Sequence, residues 1–182
     1  MKGRVNRRRD VAKDLPEKKR DIRIWKFVLS YILLMGVFVI LIGYEPVKSV
    51  MDINGAYTRM IVYFSYLALK PFGIVQGIDG SVITLKGLAL DIRFGCNGLE
   101  AFLIYSIAVL AFPARWILKT LGVVIGFIVL QIVNILRIAG LGLTGIYLPQ
   151  YFQYVHIYVA QGMMIAVAFV LFLFWVGYAS KK

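Results

Sequence analysis

Cys96, Arg137 and His156 are the residues with which this chain could do covalent chemistry. The sequence holds a single cysteine and a single histidine. A thiol can attack a carbonyl, an imidazole can carry the proton, and a guanidinium can stabilise an oxyanion. Each residue also has a plainer reading. A lone cysteine often packs as a small hydrophobe, an arginine among apolar residues can snorkel to a headgroup layer, and a histidine at a helix start can be an interfacial polar residue. With one Cys and one His, neither an intramolecular disulfide nor a four-ligand zinc site can form. No metal or other cofactor is expected.

The neighbours of these residues add to both readings. Asn97 and Glu100 have the spacing of a helix N-cap and its capping box. A thiolate beside a helix N-terminus is stabilised by the dipole, and an ionised Glu100 works against that. Gly95 and Gly98 leave room for a substrate backbone to approach. Gln131, Asn134 and Arg137 recur every three residues, so they share one face of an otherwise apolar helix. Such a stripe is expected to face protein or water rather than lipid. Gln161 and Gly162 follow His156 in the same segment, and Tyr147, Tyr151, Tyr154 and Tyr158 read as an interfacial aromatic belt.

What must position these groups is a membrane bundle. The 182 residues are 60% hydrophobic with a mean hydropathy of +0.79, and the formal net charge is +12. Soluble domains are usually about 45–50% apolar. The charge is concentrated at the start: residues 1–26 hold 11 of the 21 Lys and Arg. A basic head just before an apolar run marks the cytoplasmic side. No aromatic interleaving or binding motif points to nucleic acid.

Four spans are expected, at about 25–44, 99–113, 116–138 and 156–178, following a basic cytoplasmic segment over 1–24. Residues 25–182 then form one transmembrane domain with a 45–95 connection outside. Within that connection Met60–Leu69 is apolar but too short to cross, which suits an interfacial or re-entrant helix. Asp79-Gly80 and Lys86-Gly87 are turn signals. Leu88, Leu90, Ile92 and Phe94 alternate with Ala89, Asp91 and Arg93 as in a half-buried strand leading into Gly95-Cys96. The Gly-rich GLGLTG is expected as a loop after the third span. The expected fold class is therefore all-α integral membrane: four transmembrane helices, an interfacial helix and a small extracytoplasmic β element.

Four crossings put the basic head, Arg115 with Lys119, and Lys181-Lys182 on one side, as the positive-inside rule prefers. Both termini are then cytoplasmic, and Cys96, Arg137 and His156 meet at the extracytoplasmic boundary of the cytoplasmic (inner) membrane. The first span resembles a signal peptide in its basic flank, but its long apolar run and lack of an A-x-A-like site read as an uncleaved anchor.

Over about residues 55–178 the chain resembles the exosortase/archaeosortase family of membrane cysteine transpeptidases. The likeness lies in Cys-x-Gly opening a helix (Cys96-Asn97-Gly98) and Asn-x-x-Arg on the next (Asn134 to Arg137). A His with a Gly six positions later completes it (His156, Gly162). One clear span precedes residue 55, so it looks like a compact member, similar to the exosortase H type. The resemblance implies Cys96 as nucleophile, Arg137 as electrostatic stabiliser and His156 as acid/base. Asn97, Gly98, Glu100, Gln131, Asn134 and Gln161 would bind substrate or support the site. It also implies partners: exported proteins whose C-terminal tail has a motif, a hydrophobic helix and a basic cluster. Two rival readings remain. One is a non-enzymatic membrane subunit or transporter with a polar path at Gln131, Asn134 and Arg137. The other is a different thiol-dependent membrane enzyme, such as an acyltransferase.

Overall fold

A computed structural model describes residues 17–43, 53–92 and 96–181. The basic residues 1–16, the stretch 44–52 and the 93–95 link into Cys96 lie outside the described residues. So do the Phe94 end of the expected alternation and Lys182.

The chain is mostly helical. Helix α1 spans Glu17–Gly43, α2 Ile53–Leu69, α3 Leu99–Ala111, α4 Trp116–Tyr147 and α5 Gln161–Ala179. Between α4 and α5 run a 3₁₀ turn (Pro149–Tyr151), one helical turn (Phe152–Tyr154) and a π-helical turn (Val155–Ala160). Among the described residues, two segments are long and apolar enough to cross a membrane, Trp116–Tyr147 and Pro149–Ala179. The apolar runs Trp25–Ile40 and Leu99–Ala111 are shorter. Large apolar side chains on the outer faces of α4 and α5, such as Ile117, Leu136, Ile165 and Phe169, are exposed. A surface of that kind suits lipid contact.

Three strands, β1 (Val75–Asp79), β2 (Val82–Leu85) and β3 (Leu88–Asp91), form an antiparallel sheet in the order β1-β2-β3. The turns fall at Gly80 and Gly87, both with positive φ, where a side chain would be strained. Leu88 and Leu90 turn inward while Ala89 and Asp91 are exposed. This is the period-two pattern of a half-buried strand.

Two expectations need correcting. The stretch GLGLTG is not a loop: α4 continues through it to Tyr147. Glycine in a helix costs roughly 1 kcal/mol against alanine, and here packing offsets that. A β-carbon on Gly145 would meet Leu88 Cδ2 at 2.3 Å, and one on Gly142 would meet Leu85 Cδ1 at 3.1 Å. The glycines let the sheet close directly onto the helix. The apolar helix expected over Met60–Leu69 begins instead at Ile53. It packs lengthwise along α4, with Tyr57 beside Phe127 at 6.5 Å between ring centroids and Leu69 near Gly142. At about 1.5 Å per residue it is about 25 Å long, short of a comfortable crossing.

Two apolar clusters hold the bundle. One joins α2, the sheet and α4 through Ile61, Leu69, Ile83, Leu85 and Ile138. The other joins α3, α4 and α5 through Tyr105, Val109, Leu130, Met164 and Trp175. Gly122 and Gly126 bring α4 close to its neighbours, as small residues at this spacing do in membrane bundles. The Tyr105 hydroxyl donates to Gly122 O at 3.1 Å, and Trp175 Nε1 donates to Leu118 O at 3.0 Å. Cys96 lies between β3 and α3 in the chain.

Candidate active site

Cys96 is placed by its neighbours in sequence. Asn97 is fully buried, its Oδ1 accepting from Leu99 N–H at 3.1 Å and its Nδ2 donating to Thr58 Oγ1 at 3.2 Å. The cap of α3 is Gly98 rather than Asn97, with φ of 77° and no side-chain cap. The expected capping box therefore does not form. Asn97 instead fastens the cysteine turn to α2, and Glu100 lies exposed on the first turn of α3. Thr58, which sequence reasoning missed, sits 39 residues away in the chain, so no local pattern could have flagged it.

Arg137 is buried, and its Nη2 donates to the Cys96 carbonyl oxygen. Its Nε has no hydrogen-bond partner among the described residues. Three residues earlier, Asn134 is fully buried and packs against Gly98. Gln131 is buried facing the Tyr57 hydroxyl, outside strict hydrogen-bond geometry. The polar stripe of α4 thus faces protein. Gln131 and Asn134 support α2 and the cysteine turn, and neither lines the cavity at Cys96.

His156 is half-buried within the π-helical turn. Its Nε2 lies 3.8 Å from Cys96 Sγ. Phe152, one turn earlier, stacks on the imidazole with ring centroids 5.9 Å apart and planes at 15°. A π-helical turn adds a residue to one turn of helix, and such insertions concentrate at functional sites. The aromatic four residues before His156 was a readable signal that sequence reasoning passed over. The imidazole Nδ1 is buried with no partner, an orienting carboxylate included, among the described residues. Gln161 is exposed and does not reach the site.

Cys96, Arg137 and His156 share one cavity of about 240 Å³. Its remaining walls are Ala89 to Ile92 of the β3 region, Ile138 and Leu141 of α4, and Phe152. A thiol and an imidazole nitrogen at this separation can exchange a proton after a small side-chain movement, and the guanidinium beside the same residue supplies fixed positive charge. The arrangement suits attack on a carbonyl.

A family model described as transmembrane exosortase matches residues 21–175. Comparison with curated proteins and with solved structures gives no match.

Proposed function

The chain belongs to the transmembrane exosortase family, and from that premise we propose that it is a membrane cysteine peptidase and transpeptidase acting on the C-terminal sorting tail of exported proteins. The observation that carries this reading is the 3.8 Å approach of Cys96 Sγ to His156 Nε2 in a cavity that Arg137 also lines.

In the proposed reaction the tail's hydrophobic helix lies in the bilayer, with its scissile peptide bond beside Cys96. His156 takes the thiol proton as sulfur attacks the carbonyl carbon, and a tetrahedral oxyanion forms. Arg137, fixed to the Cys96 carbonyl through Nη2, stabilises that charge. The C–N bond then breaks, the leaving amine takes the proton from His156, and a thioester remains. Water or an acceptor nucleophile next gives its proton to His156 and displaces sulfur. This orientation requires the four-crossing topology, with the cavity at the extracytoplasmic boundary.

The transporter reading is less well supported, because Gln131 and Asn134 are buried against Tyr57 and Gly98 instead of lining the cavity. Trapping decides the chemistry. Cells expressing the enzyme with an exported protein that bears such a tail are quenched in acid, and the adduct is sought by mass spectrometry. A thioester on Cys96 is expected, released by hydroxylamine and missing in Cys96→Ala. Undiminished processing of the tail by Cys96→Ala would end the assignment.

A further inference from the structure

Strand β3 forms one wall of the cavity, and it is an edge strand. In the order β1-β2-β3, no other described strand pairs with its far side. The phase of the ladder is set by Ile92 N–H, which donates to Ser81 O at 2.9 Å. In antiparallel pairing, opposed residues alternate between exchanging hydrogen bonds and turning away from one another. With Leu90 opposite Ile83 and Ala89 opposite Thr84, Leu90 bonds back to β2. Ala89 turns its N–H and C=O to the open edge. The other ladder agrees: Lys86 N–H donates to Ile74 O, which commits Thr84, two residues earlier, to β1. The side chains follow the same logic, with Leu88 beside Gly145 and Leu90 beside Gly142 on α4, and Ala89 exposed.

An open strand edge pairs readily with another extended chain. Here that edge borders the cavity holding Cys96, Arg137 and His156. We infer that β3 binds the substrate by strand addition. The peptide segment on the acyl side of the scissile bond would pair in parallel with β3 through the backbone of Ala89. This rests on the peptidase reading above.

The direction follows from positions along α4. β3 leaves Leu88 at the level of Gly145 and heads toward Cys96, whose carbonyl meets Arg137. A substrate with its body outside and its C-terminal tail in the bilayer runs the same way, so the two strands are parallel. From the level of Ala89 to that of Arg137 is about 9 Å at 1.5 Å per helical residue. An extended chain covers that in about three residues at about 3.3 Å each. The paired segment therefore lies about two to four residues before the scissile carbonyl. Ala89 N–H would donate to one substrate carbonyl, and Ala89 C=O would accept from an N–H further along. Recognition by main chain tolerates varied side chains in the paired segment.

Backbone esters test this on the full-length enzyme. The probe is a semisynthetic exported reporter ending in a tail that the wild-type enzyme cleaves. Each amide at the first six positions before the scissile bond is replaced in turn by an ester, which removes one N–H and leaves the side chain. One position, two to four residues before the bond, should lower kcat/KM by about 5-fold, the scale of one hydrogen bond, with the others little changed. The Ala89→Pro variant removes the enzyme's donor without breaking the β2 ladder, and proline is tolerated on edge strands. It should raise KM by about the same factor. A flat ester profile overturns the proposal whatever the proline variant does, because the wild-type enzyme is intact in that arm. Failure of the peptidase reading shows separately, as cleavage of the unmodified reporter by Cys96→Ala.

Discussion

Gly98 lies directly against Asn134: a β-carbon on Gly98 would stand 2.7 Å from Asn134 Cγ and 2.8 Å from its Nδ2. The contact joins the cysteine turn to the helix that carries Arg137, so two short motifs distant in sequence form one structural unit. It also explains why the residue two after Cys96 is glycine, since Gly98 combines this close approach with a φ of 77°.

Gly98→Ala should therefore disable the enzyme. The left-handed conformation alone costs about 1–2 kcal/mol for a residue with a β-carbon, and the clash displaces Asn134 or the cysteine turn. Tail processing is expected to fall at least about tenfold, since small misplacements of reacting groups carry penalties of that size or larger. Adding Asn134→Ala should recover part of the lost rate by removing the clash, though not the backbone strain. Wild-type processing by the single variant would mean that the turn does not position Cys96.

Thr58 holds Asn97 from another helix. Thr58→Val keeps the shape and leaves the buried Asn97 amide without its acceptor, at a cost of about 1–3 kcal/mol. Thr58→Ser keeps the hydroxyl. Thermal unfolding in detergent should show Val well below wild type and Ser close to it, with processing rates in the same order. Equal behaviour of the two variants would remove Thr58 from the site's support.

Arg137→Lys separates charge from geometry. Lysine keeps the positive charge but not the planar fork whose Nη2 donates to the Cys96 carbonyl. The expected loss in kcat is about 10²- to 10³-fold, as for removal of one oxyanion donor. The protein should still accumulate in the membrane. Turnover at the wild-type rate would reduce Arg137 to an anchor.

His156→Ala tests the proton carrier. General acid–base groups commonly contribute about 10²- to 10⁴-fold, and that loss should appear in kcat with KM little changed. Phe152→Leu removes the ring stacked on the imidazole and should give a smaller loss of the same kind. A Phe152→Leu loss confined to KM would instead make this ring a substrate contact.

How much of this was legible depends on how local each cause is. The apolar runs of α4 and α5 and the turn glycines Gly80 and Gly87 act within a few residues of themselves, so the sequence displays them. The GLGLTG stretch misleads because two of its glycines, Gly142 and Gly145, serve contacts with Leu85 and Leu88, more than 50 positions earlier. Asn97 misleads in a related way: its spacing to Glu100 is that of a capping box, but its Oδ1 accepts from Leu99 N–H instead of Glu100 N–H, and its Nδ2 is held by Thr58. The single Cys and single His attracted attention by chemistry alone. Their 3.8 Å approach depends on a π-helical turn that no periodicity announces.

The glycines of α4 offer a last test, because they differ in what surrounds them. A β-carbon on Gly126 would fall 2.0 Å from Tyr105 Cε1, in a ring held in place by the bond from its hydroxyl to Gly122 O. Gly140, on the same helix, has nothing within 4 Å of such a carbon. Gly126→Ala should then destabilise the bundle by about 1–3 kcal/mol through overpacking. Gly140→Ala should be neutral or stabilising by up to about 1 kcal/mol, because alanine is the better helix former. Thermal unfolding in one detergent reads both. Equal shifts for the two variants would contradict the close packing of α3 on α4 through Gly126.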